Sequence, residues 1–230
     1  MIICFFHPMD FLILIAIAIS MWASFRVKGT FQKWSTVPIR SGMTGYDAAR
    51  RMLDNNGLHD IPVEPIKGQL TDHYDPTKRV VRLSESVFNE RSIAAVSVAC
   101  HEVGHAIQHQ QHYPALVLRH RMFPLVNLTS GVAPYLIIAG ILFSFLQLTL
   151  VGIVFFSAAV AFQLVTLPVE FNASSRARKM MVSQGFITTD EDRGASSVLN
   201  AAALTYVAAA LISLLQLLKF VMIFMSNRRN

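Results

Sequence analysis

The sequence predicts a mainly α-helical membrane protein with about four transmembrane helices and a small α+β segment outside the membrane. Hydrophobic residues make up 53% of the 230-residue chain, charged residues only 15%, and the mean hydropathy is +0.45. These values are too apolar for an ordinary soluble domain. The apolar residues also lie in long runs without charge, which is typical of membrane-spanning helices. The formal net charge of +6 comes from basic residues beside these runs, so it does not indicate nucleic-acid binding.

The first predicted span is an N-terminal anchor at residues 9–26. Its core, residues 11–25, carries no charge and is bounded by Asp10 and Arg26. With its flanks, this run is long enough to cross a bilayer. A cleaved signal peptide is the alternative, but the sequence has no basic segment before the run and no convincing small-x-small cleavage site. An uncleaved anchor is therefore the preferred interpretation.

Three further spans are predicted in the second half of the chain. Residues 122–169 contain no Asp, Glu, Lys or Arg, which is enough for two spans joined by a tight turn. We place these spans near 128–147 and 149–168, with the turn at about 147–152. Another charge-free run predicts a last span at 199–225, in which Lys219 extends toward a membrane interface.

The placement of Lys and Arg predicts the orientation of these spans. Thirteen basic residues lie between residues 26 and 121 and four more between residues 176 and 193, whereas the first 25 residues contain none. By the positive-inside rule, both basic segments lie in the cytoplasm and the N-terminus lies outside. Four spans then place the C-terminus outside, although Arg228 and Arg229 disagree mildly with the rule.

The motif HEVGH, at residues 101–105, lies in the first of these basic segments. His101 and His105 are four residues apart, so on a helix they project from the same face and can bind one zinc ion. The preceding residues 92–100 carry no charge, which predicts a buried helix rather than a solvated one that carries two histidines by chance. An isolated carboxylate is costly in such surroundings. Glu102 is therefore predicted to act as a general base on a water molecule.

Hydrolytic zinc sites have three protein ligands and one open position. Glu170 is the predicted third ligand, because it lies where the charge-free hairpin returns to the side of the membrane that carries the motif. The alternative is a membrane-boundary carboxylate that pairs with Arg176 or Lys179. Three histidines compete as ligands but follow the motif too closely to return easily to the metal, and they are His109, His112 and His120.

One catalytic Zn²⁺ is the predicted cofactor, which would lower the pKa of water and polarise the scissile carbonyl. A hydrogen-bond donor must then stabilise the oxyanion. The sequence offers His73, Tyr74 and Tyr206 for this role and does not choose among them. Asn172 and Arg176 are further candidates, either for the oxyanion or for support of the metal ligands.

Several stretches of the chain resemble the YugP-type family of bacterial membrane zinc metallopeptidases, also described as neutral zinc metallopeptidases. They are residues 42–57 (GMTGYDAARRMLDNNG), 68–84 (GQLTDHYDPTKRVVRLS), 92–113 around AVSVACHEVGHAIQHQ, 164–177 (LVTLPVEFNASSRA) and 198–218 (VLNAAALTYVAAALISLLQLL). The resemblance implies a multi-pass protein of the bacterial plasma membrane. It also implies that His101 and His105 are zinc ligands, Glu102 the catalytic base and Glu170 the third ligand.

A looser similarity to membrane gluzincins completes the predicted fold class, a mainly α membrane protein with a small zincin-like, gluzincin-type catalytic segment. The predicted organisation, in chain order, is an anchor at 9–26, a cytoplasmic catalytic segment at 27–127, a transmembrane hairpin at 128–168, a third-ligand helix and linker at 169–198, and a C-terminal transmembrane helix at 199–225.

The polar segment before the motif predicts a helix and a small sheet. Residues 41–57 combine a helix cap, an amphipathic run and a terminal Asn-Asn-Gly. Residues 61–66 predict a short strand, and residues 68–71 and 79–83 predict the two strands of a hairpin. In His2Glu peptidases a strand near the metal aligns the substrate by strand addition. Residues 80–83 are predicted to be that strand, although a plain structural hairpin explains the pattern equally well.

The two cysteines, Cys4 and Cys100, predict no disulfide, because one lies in the N-terminal tail and the other within the motif helix. Cys100 is instead predicted to be a small buried apolar residue.

The predicted function is an integral membrane zinc endopeptidase acting at the cytoplasmic face on membrane or membrane-proximal polypeptides. One alternative is a non-catalytic scaffold or quality-control partner with a structural zinc site, which has no need of Glu102. Another is a zinc hydrolase of a non-peptide substrate, because the motif specifies activated water and not the bond attacked. The lipid bilayer is a predicted partner, nucleic acid is not, and the oligomeric state is left open.

Overall fold

The computed structural model describes residues 8–229, with the side chain of Arg229 left out. Cys4 and the predicted outside N-terminus fall beyond the described residues. The elements in chain order are α1 Pro8–Ser35, α2 Gly45–Asn55, β1 Val63–Ile66, β2 His73–Asp75, β3 Val80–Ser84, α3 Glu85–Asn89, α4 Ile93–Gln110, α5 Pro114–Leu142, α6 Leu146–Ser183 and α7 Thr189–Arg229. The protein is therefore mainly helical with one small sheet, as the sequence predicts.

The chain divides into two compact units. The apolar unit comprises the described parts of Met1–Ala23, Val117–Leu167 and Thr205–Asn230. The mixed unit comprises Ser24–Leu116 and Pro168–Leu204 and contains the sheet. Four helices of the described chain, α1, α5, α6 and α7, are long and apolar enough to cross a membrane, which confirms the predicted number of spans.

The predicted position of the turn between the second and third spans is wrong. Helix α5 ends at Leu142 and α6 begins at Leu146, so the turn lies at residues 143–145 instead of 147–152. Gly152, at the end of the predicted turn, lies inside α6. A Cβ atom there would come within 2.6 Å of the Ile137 side chain. This glycine therefore permits close packing of α5 against α6 and does not form the turn.

Lys219 has a charged partner in the apolar unit. Its ammonium group pairs with the carboxylate of Asp10 in the first turn of α1. The N-terminal end of α1 therefore lies beside the second half of α7. An ion pair at the end of an apolar run lowers the cost of keeping Lys219 away from bulk water.

The sheet of the mixed unit has the strand order β1-β3-β2, with β1 parallel and β2 antiparallel to β3. The first hairpin strand is β2, not the predicted residues 68–71. Those residues form a loop, in which Gly68 and Leu70 have φ angles of +111° and +56°. The turn into β3 begins at Asp75, whose side chain accepts hydrogen bonds from the backbone N–H groups of Thr77 and Lys78 at 2.9 and 3.0 Å.

The predicted substrate-aligning role of residues 80–83 is also wrong. These residues belong to β3, which pairs with β1 along one edge and with β2 along the other. Because both edges carry ladder hydrogen bonds, no further strand can be added to β3. The hairpin signals around residues 74–78 predicted the strand but could not tell a central position in the sheet from an edge position.

Helix α4 lies at the centre of the core of the mixed unit. It begins after Ser92, whose hydroxyl accepts a hydrogen bond from the Ala95 N–H group. Cys100 is fully buried, which confirms the prediction that it is a small core residue. Helix α2 packs against α4 and is held at its start by a capping box between Thr44 and Asp47.

A carboxylate ties the start of α7 to the segment before α2. Glu191 accepts hydrogen bonds from the backbone N–H groups of Arg40 and Thr188 at 2.7 and 2.8 Å. Burial by itself raises the pKa of Glu191, but these hydrogen bonds outweigh it and the net shift is downward. The ionised carboxylate therefore stabilises the fold above the pKa of about 4.3 that it has in the unfolded chain.

We expect Glu191→Gln to destabilise the protein by about 1–2 kcal/mol at pH 7, because the amide nitrogen cannot accept one of the two backbone hydrogen bonds and the other loses its charge assistance. The folded pKa is depressed, so this difference should be constant above about pH 5 and should shrink as the pH falls through the folded pKa. Thermal unfolding of the detergent-solubilised variant and wild type across this range measures it. A difference that persists unchanged below pH 3 would contradict the assignment.

Candidate metal centre

Helix α4 positions the two histidines of the motif. His101 and His105 are one turn apart, their ring centroids are 4.7 Å apart, and their Nε2 atoms are 3.2 Å apart. The rings stand edge to face and both direct Nε2 to the same point. This convergence follows from the spacing of four residues on a helix. Two nitrogen donors are thereby brought to one side of a buried helix.

Helix α6 brings a carboxylate to the same point. Glu170 is 3% exposed, and its Oε2 atom lies 3.4 Å from His101 Nε2 and 3.5 Å from His105 Nε2. Gly104 permits this approach, because a Cβ atom at that position would come within 2.8 Å of the Ala173 carbonyl oxygen. The ligand atoms of the three residues all lie within 4.8 Å of one another. The structure thus brings together the three residues that the sequence predicts as metal ligands.

The separations of these three atoms fit zinc. Zinc binds His nitrogen and carboxylate oxygen at about 2.0–2.2 Å, almost always tetrahedrally. Two ligand atoms at such distances and angles are about 3.3–3.5 Å apart by simple geometry. The observed values of 3.2, 3.4 and 3.5 Å match this spacing. Two imidazoles and one carboxylate are also the donor set of hydrolytic zinc sites, which keep a fourth position open.

A chain of buried polar groups orients His105. The Gln108 amide nitrogen donates hydrogen bonds to the Val169 carbonyl oxygen at 2.8 Å and to Asn172 Oδ1 at 3.0 Å. Its amide oxygen lies 3.1 Å from His105 Nδ1 and must accept, so Nδ1 carries the proton and Nε2 presents its lone pair. Arg176 Nε donates to the same Asn172 oxygen at 2.7 Å. Asn172 and Arg176 therefore help to orient His105, a predicted metal ligand, through Gln108.

His101 has a corresponding partner on α6. The Ser174 hydroxyl lies 3.1 Å from His101 Nδ1, so a proton on Nδ1 leaves Nε2 free to bind a metal. Neither Ser174 nor Gln108 was predicted from the sequence. Helical spacing offered a signal for both, because Gln108 follows His105 by three residues and Ser174 follows Glu170 by four. The sequence does not show, however, that these faces of α4 and α6 pack against each other.

The side chain of Glu102 extends from α4 to the sheet. Its side chain is buried, with the residue 8% exposed, and its Oε2 atom accepts a hydrogen bond of 3.0 Å from the Tyr74 backbone N–H group. This contact joins β2 to the motif helix. It also fixes one carboxylate oxygen beside the His–His–Glu cluster and orients the group that the sequence predicts as the general base.

The cluster is electrostatically coupled. Burial alone would lower the pKa of His105, but the hydrogen bond with Glu170 and the charges of Glu102 and Glu170 outweigh it, so the net shift is upward. Two carboxylates facing two imidazoles in a buried site favour positive charge there. A divalent cation supplies that charge more effectively than a protonated imidazole, which supports the assignment of a metal site.

The other predicted residues take different positions. Tyr74 lies on β2, with its hydroxyl 2.9 Å from His109 Nδ1. His73 Nδ1 lies 2.8 Å from the Thr71 carbonyl oxygen, within the preceding loop. His112 is exposed in the turn after α4. Tyr206 and His120 belong to the apolar unit, and their roles stay predictions.

We expect Gly104→Ala to weaken both folding and metal binding. Alanine is intrinsically the better helix former by about 1 kcal/mol, but here its Cβ atom would clash with the backbone of Ala173. Overpacking costs about 1–3 kcal/mol, which exceeds the gain in helix propensity. The net effect on the free energy of unfolding should therefore be destabilising. Zinc content and the unfolding temperature measure the effect. Gly29→Ala is the matched control, since a Cβ atom there meets nothing within 4 Å, and equal behaviour of the two variants would contradict this interpretation.

The fold and the cluster define a helical membrane protein with a candidate zinc site built from residues of two helices. Residues 9–225 match a family model described as "Putative neutral zinc metallopeptidase". The chain is also 62% identical over 218 residues to a protein of Bacillus subtilis (strain 168) named "Putative membrane protease YugP", covering 95% of this chain and 97% of that protein. The chain therefore belongs to this zinc metallopeptidase family, which confirms the resemblance found in the sequence. No solved structure gives a significant match.

Proposed function

We propose that the protein is an integral membrane zinc endopeptidase in which Glu102 is the general base. The observation that carries this proposal is the set of three ligand atoms on α4 and α6, spaced 3.2–3.5 Å apart beside a fixed carboxylate. A structural zinc site has no use for a buried glutamate next to its ligands. Family membership gives the reaction class, peptide-bond hydrolysis, independent support.

Each residue of the site then has a defined role. His101, His105 and Glu170 hold the metal, which supplies the Lewis acidity that lowers the pKa of water and polarises a carbonyl. Glu102 takes a proton from water and can pass it to the leaving amine. The Tyr74 N–H group keeps the carboxylate in place for both transfers. Ser174 and Gln108 keep the two imidazoles oriented.

The outer edge of β2 is the best place for an extended substrate. This strand lies at one edge of the sheet. The Tyr74 N–H group on this edge points away from β3 and donates to Glu102, so the edge faces the proposed active site. A peptide added to this edge would bring its backbone next to the general base. Strand β2 thus takes the aligning role that the sequence analysis assigned to residues 80–83.

Tyr74 is the strongest of the three oxyanion candidates, since its backbone already contacts Glu102. Burial raises the pKa of its phenol and lowers the pKa of the neighbouring His109. Both groups are therefore neutral at pH 7, and the phenol retains a proton to donate.

We place the site at the cytoplasmic face of the membrane. The mixed unit contains fifteen of the twenty Lys and Arg residues of the chain, so the positive-inside rule favours a cytoplasmic location for it. Glu170 follows directly after the charge-free run of α6. A site at the end of a charge-free helical run suits polypeptides that are in the membrane or emerge from it.

Comparative proteomics of membranes tests this function. We expect peptides generated in cells with the wild-type protein to disappear in cells that carry Glu102→Gln at equal abundance. A scaffold role predicts identical peptides in the two strains, and loss of a non-peptide product with unchanged peptides would indicate another hydrolase. Either result would overturn the proposed peptidase.

A further inference from the structure

A cavity of about 450 Å³ lies in the mixed unit, apart from the ligand cluster. Three arginines from three helices line it: Arg26 of α1, Arg178 of α6 and Arg193 of α7. Among the described residues of its lining, Asp192 is the one carboxylate. With three guanidinium groups and one carboxylate, the lining has a net charge of +2 at neutral pH.

Asp192 forms a bidentate pair with Arg178. The Arg178 Nε and NH2 groups donate to the two carboxylate oxygens of Asp192, each at 2.5 Å. Such fork-to-fork contacts hold both side chains in one geometry. The pair therefore fixes the geometry of one wall of the cavity. Arg193 lies one residue beyond Asp192 on α7 and is exposed on its side of the cavity.

The cavity lies where polar sequence meets apolar sequence. Arg26 ends the charge-free run of α1, and Asn200 and Leu204, which also line the cavity, lie at the start of the charge-free run of α7. In a membrane protein this boundary coincides with the lipid headgroup layer. Neutral hydrogen-bonding groups complete the lining, among them Asn200, which donates to the Ser196 hydroxyl at 3.2 Å.

We propose that this cavity binds a phosphate-bearing anion, and specifically the headgroup phosphate of an anionic phospholipid. Guanidinium groups match phosphate oxygens in charge and in fork geometry. Basic cavities between membrane helices at the cytoplasmic side bind anionic headgroups for this reason. The Asn200 amide and nearby hydroxyls suit the polar part of a glycerol-type headgroup. The site is separate from the proposed catalytic residues and its occupancy does not require zinc.

Binding of phosphatidylglycerol to the purified full-length protein in detergent, followed by native mass spectrometry, tests the proposal. We expect phosphatidylglycerol to bind in preference to phosphatidylcholine. Arg193→Gln should weaken its binding about fivefold, and Arg26→Gln combined with Arg193→Gln about 25-fold. Arg121→Gln, which removes an exposed arginine of α5 that is not part of the lining, is the matched control and should leave binding unchanged.

Free glycerol phosphate distinguishes the source of the phosphate. If it displaces phosphatidylglycerol only at millimolar concentration, the ligand is the lipid; if it binds tightly with the same sensitivity to Arg193→Gln, the ligand is a soluble phosphate ester. Both results retain a phosphate site. Equal binding of phosphatidylcholine, or unchanged phosphatidylglycerol binding in the double variant, would overturn it. If the glutamine variants unfold, Arg193→Lys keeps the charge, removes the fork and should still weaken binding.

Discussion

Glu102→Gln should abolish peptide hydrolysis while leaving one zinc ion bound per chain. Glutamine cannot take a proton from water, and loss of a positioned general base costs about 10²–10⁴-fold in kcat. Its amide oxygen can still accept the hydrogen bond from the Tyr74 N–H group, so the fold of the site should persist. Zinc should remain because the proposed ligands are the two histidines and Glu170. Activity is measured on a membrane-polypeptide substrate with the protein in detergent or in liposomes.

Glu90→Gln is the control for this experiment, because Glu90 is exposed between α3 and α4 and should behave like the wild type. The informative comparison is kcat against zinc content in the same preparations. A Glu102→Gln protein with full kcat would eliminate Glu102 as the base. A Glu102→Gln protein that loses its zinc would mean that this carboxylate is a ligand.

The second large effect is expected from Glu170→Ala, which should lose zinc affinity by more than about 100-fold. Substitutions of the groups behind a metal ligand already cost about 10–100-fold, so removal of a ligand should cost more. The variant also leaves His101 and His105 without the buried carboxylate that faces them. Zinc content after dialysis against a graded chelator measures the affinity.

Gln108→Ala provides the intermediate case in this series, since it removes the acceptor of the His105 Nδ1 proton and keeps all three ligands. We expect its zinc affinity to lie between those of the wild type and Glu170→Ala. Glu90→Ala is the exposed control and should retain wild-type affinity. Unchanged zinc content in Glu170→Ala would show that this residue is not a necessary ligand, whatever its position in the structure.

The sequence predicted the parts of the site that depend on local spacing. The convergence of His101 and His105 follows from helix geometry alone. Glu170 could be predicted because the absence of charge before it marked a membrane hairpin, and a hairpin returns to its starting side. The Gln108 and Ser174 contacts were missed because they depend on the rotation of α4 against α6. No local pattern encodes that rotation.

The failures in the fold have a similar origin. Gly152 resembles a turn residue in sequence, yet the structure uses it for the close packing of α5 and α6. Residues 80–83 form a strand as predicted, but strand order depends on long-range pairing with β1 and β2. Gly104 is the opposite case, because an unfavourable residue within a predicted helix indicates that another backbone comes close.

The central claim is that His101, His105 and Glu170 hold a zinc ion, and zinc K-edge X-ray absorption of the purified protein tests it most directly. We predict nitrogen and oxygen neighbours at about 2.0–2.1 Å, with the outer-shell scattering of two imidazoles. A sulfur neighbour at about 2.3 Å, or fewer than two imidazoles on a fully loaded protein, would contradict the claim.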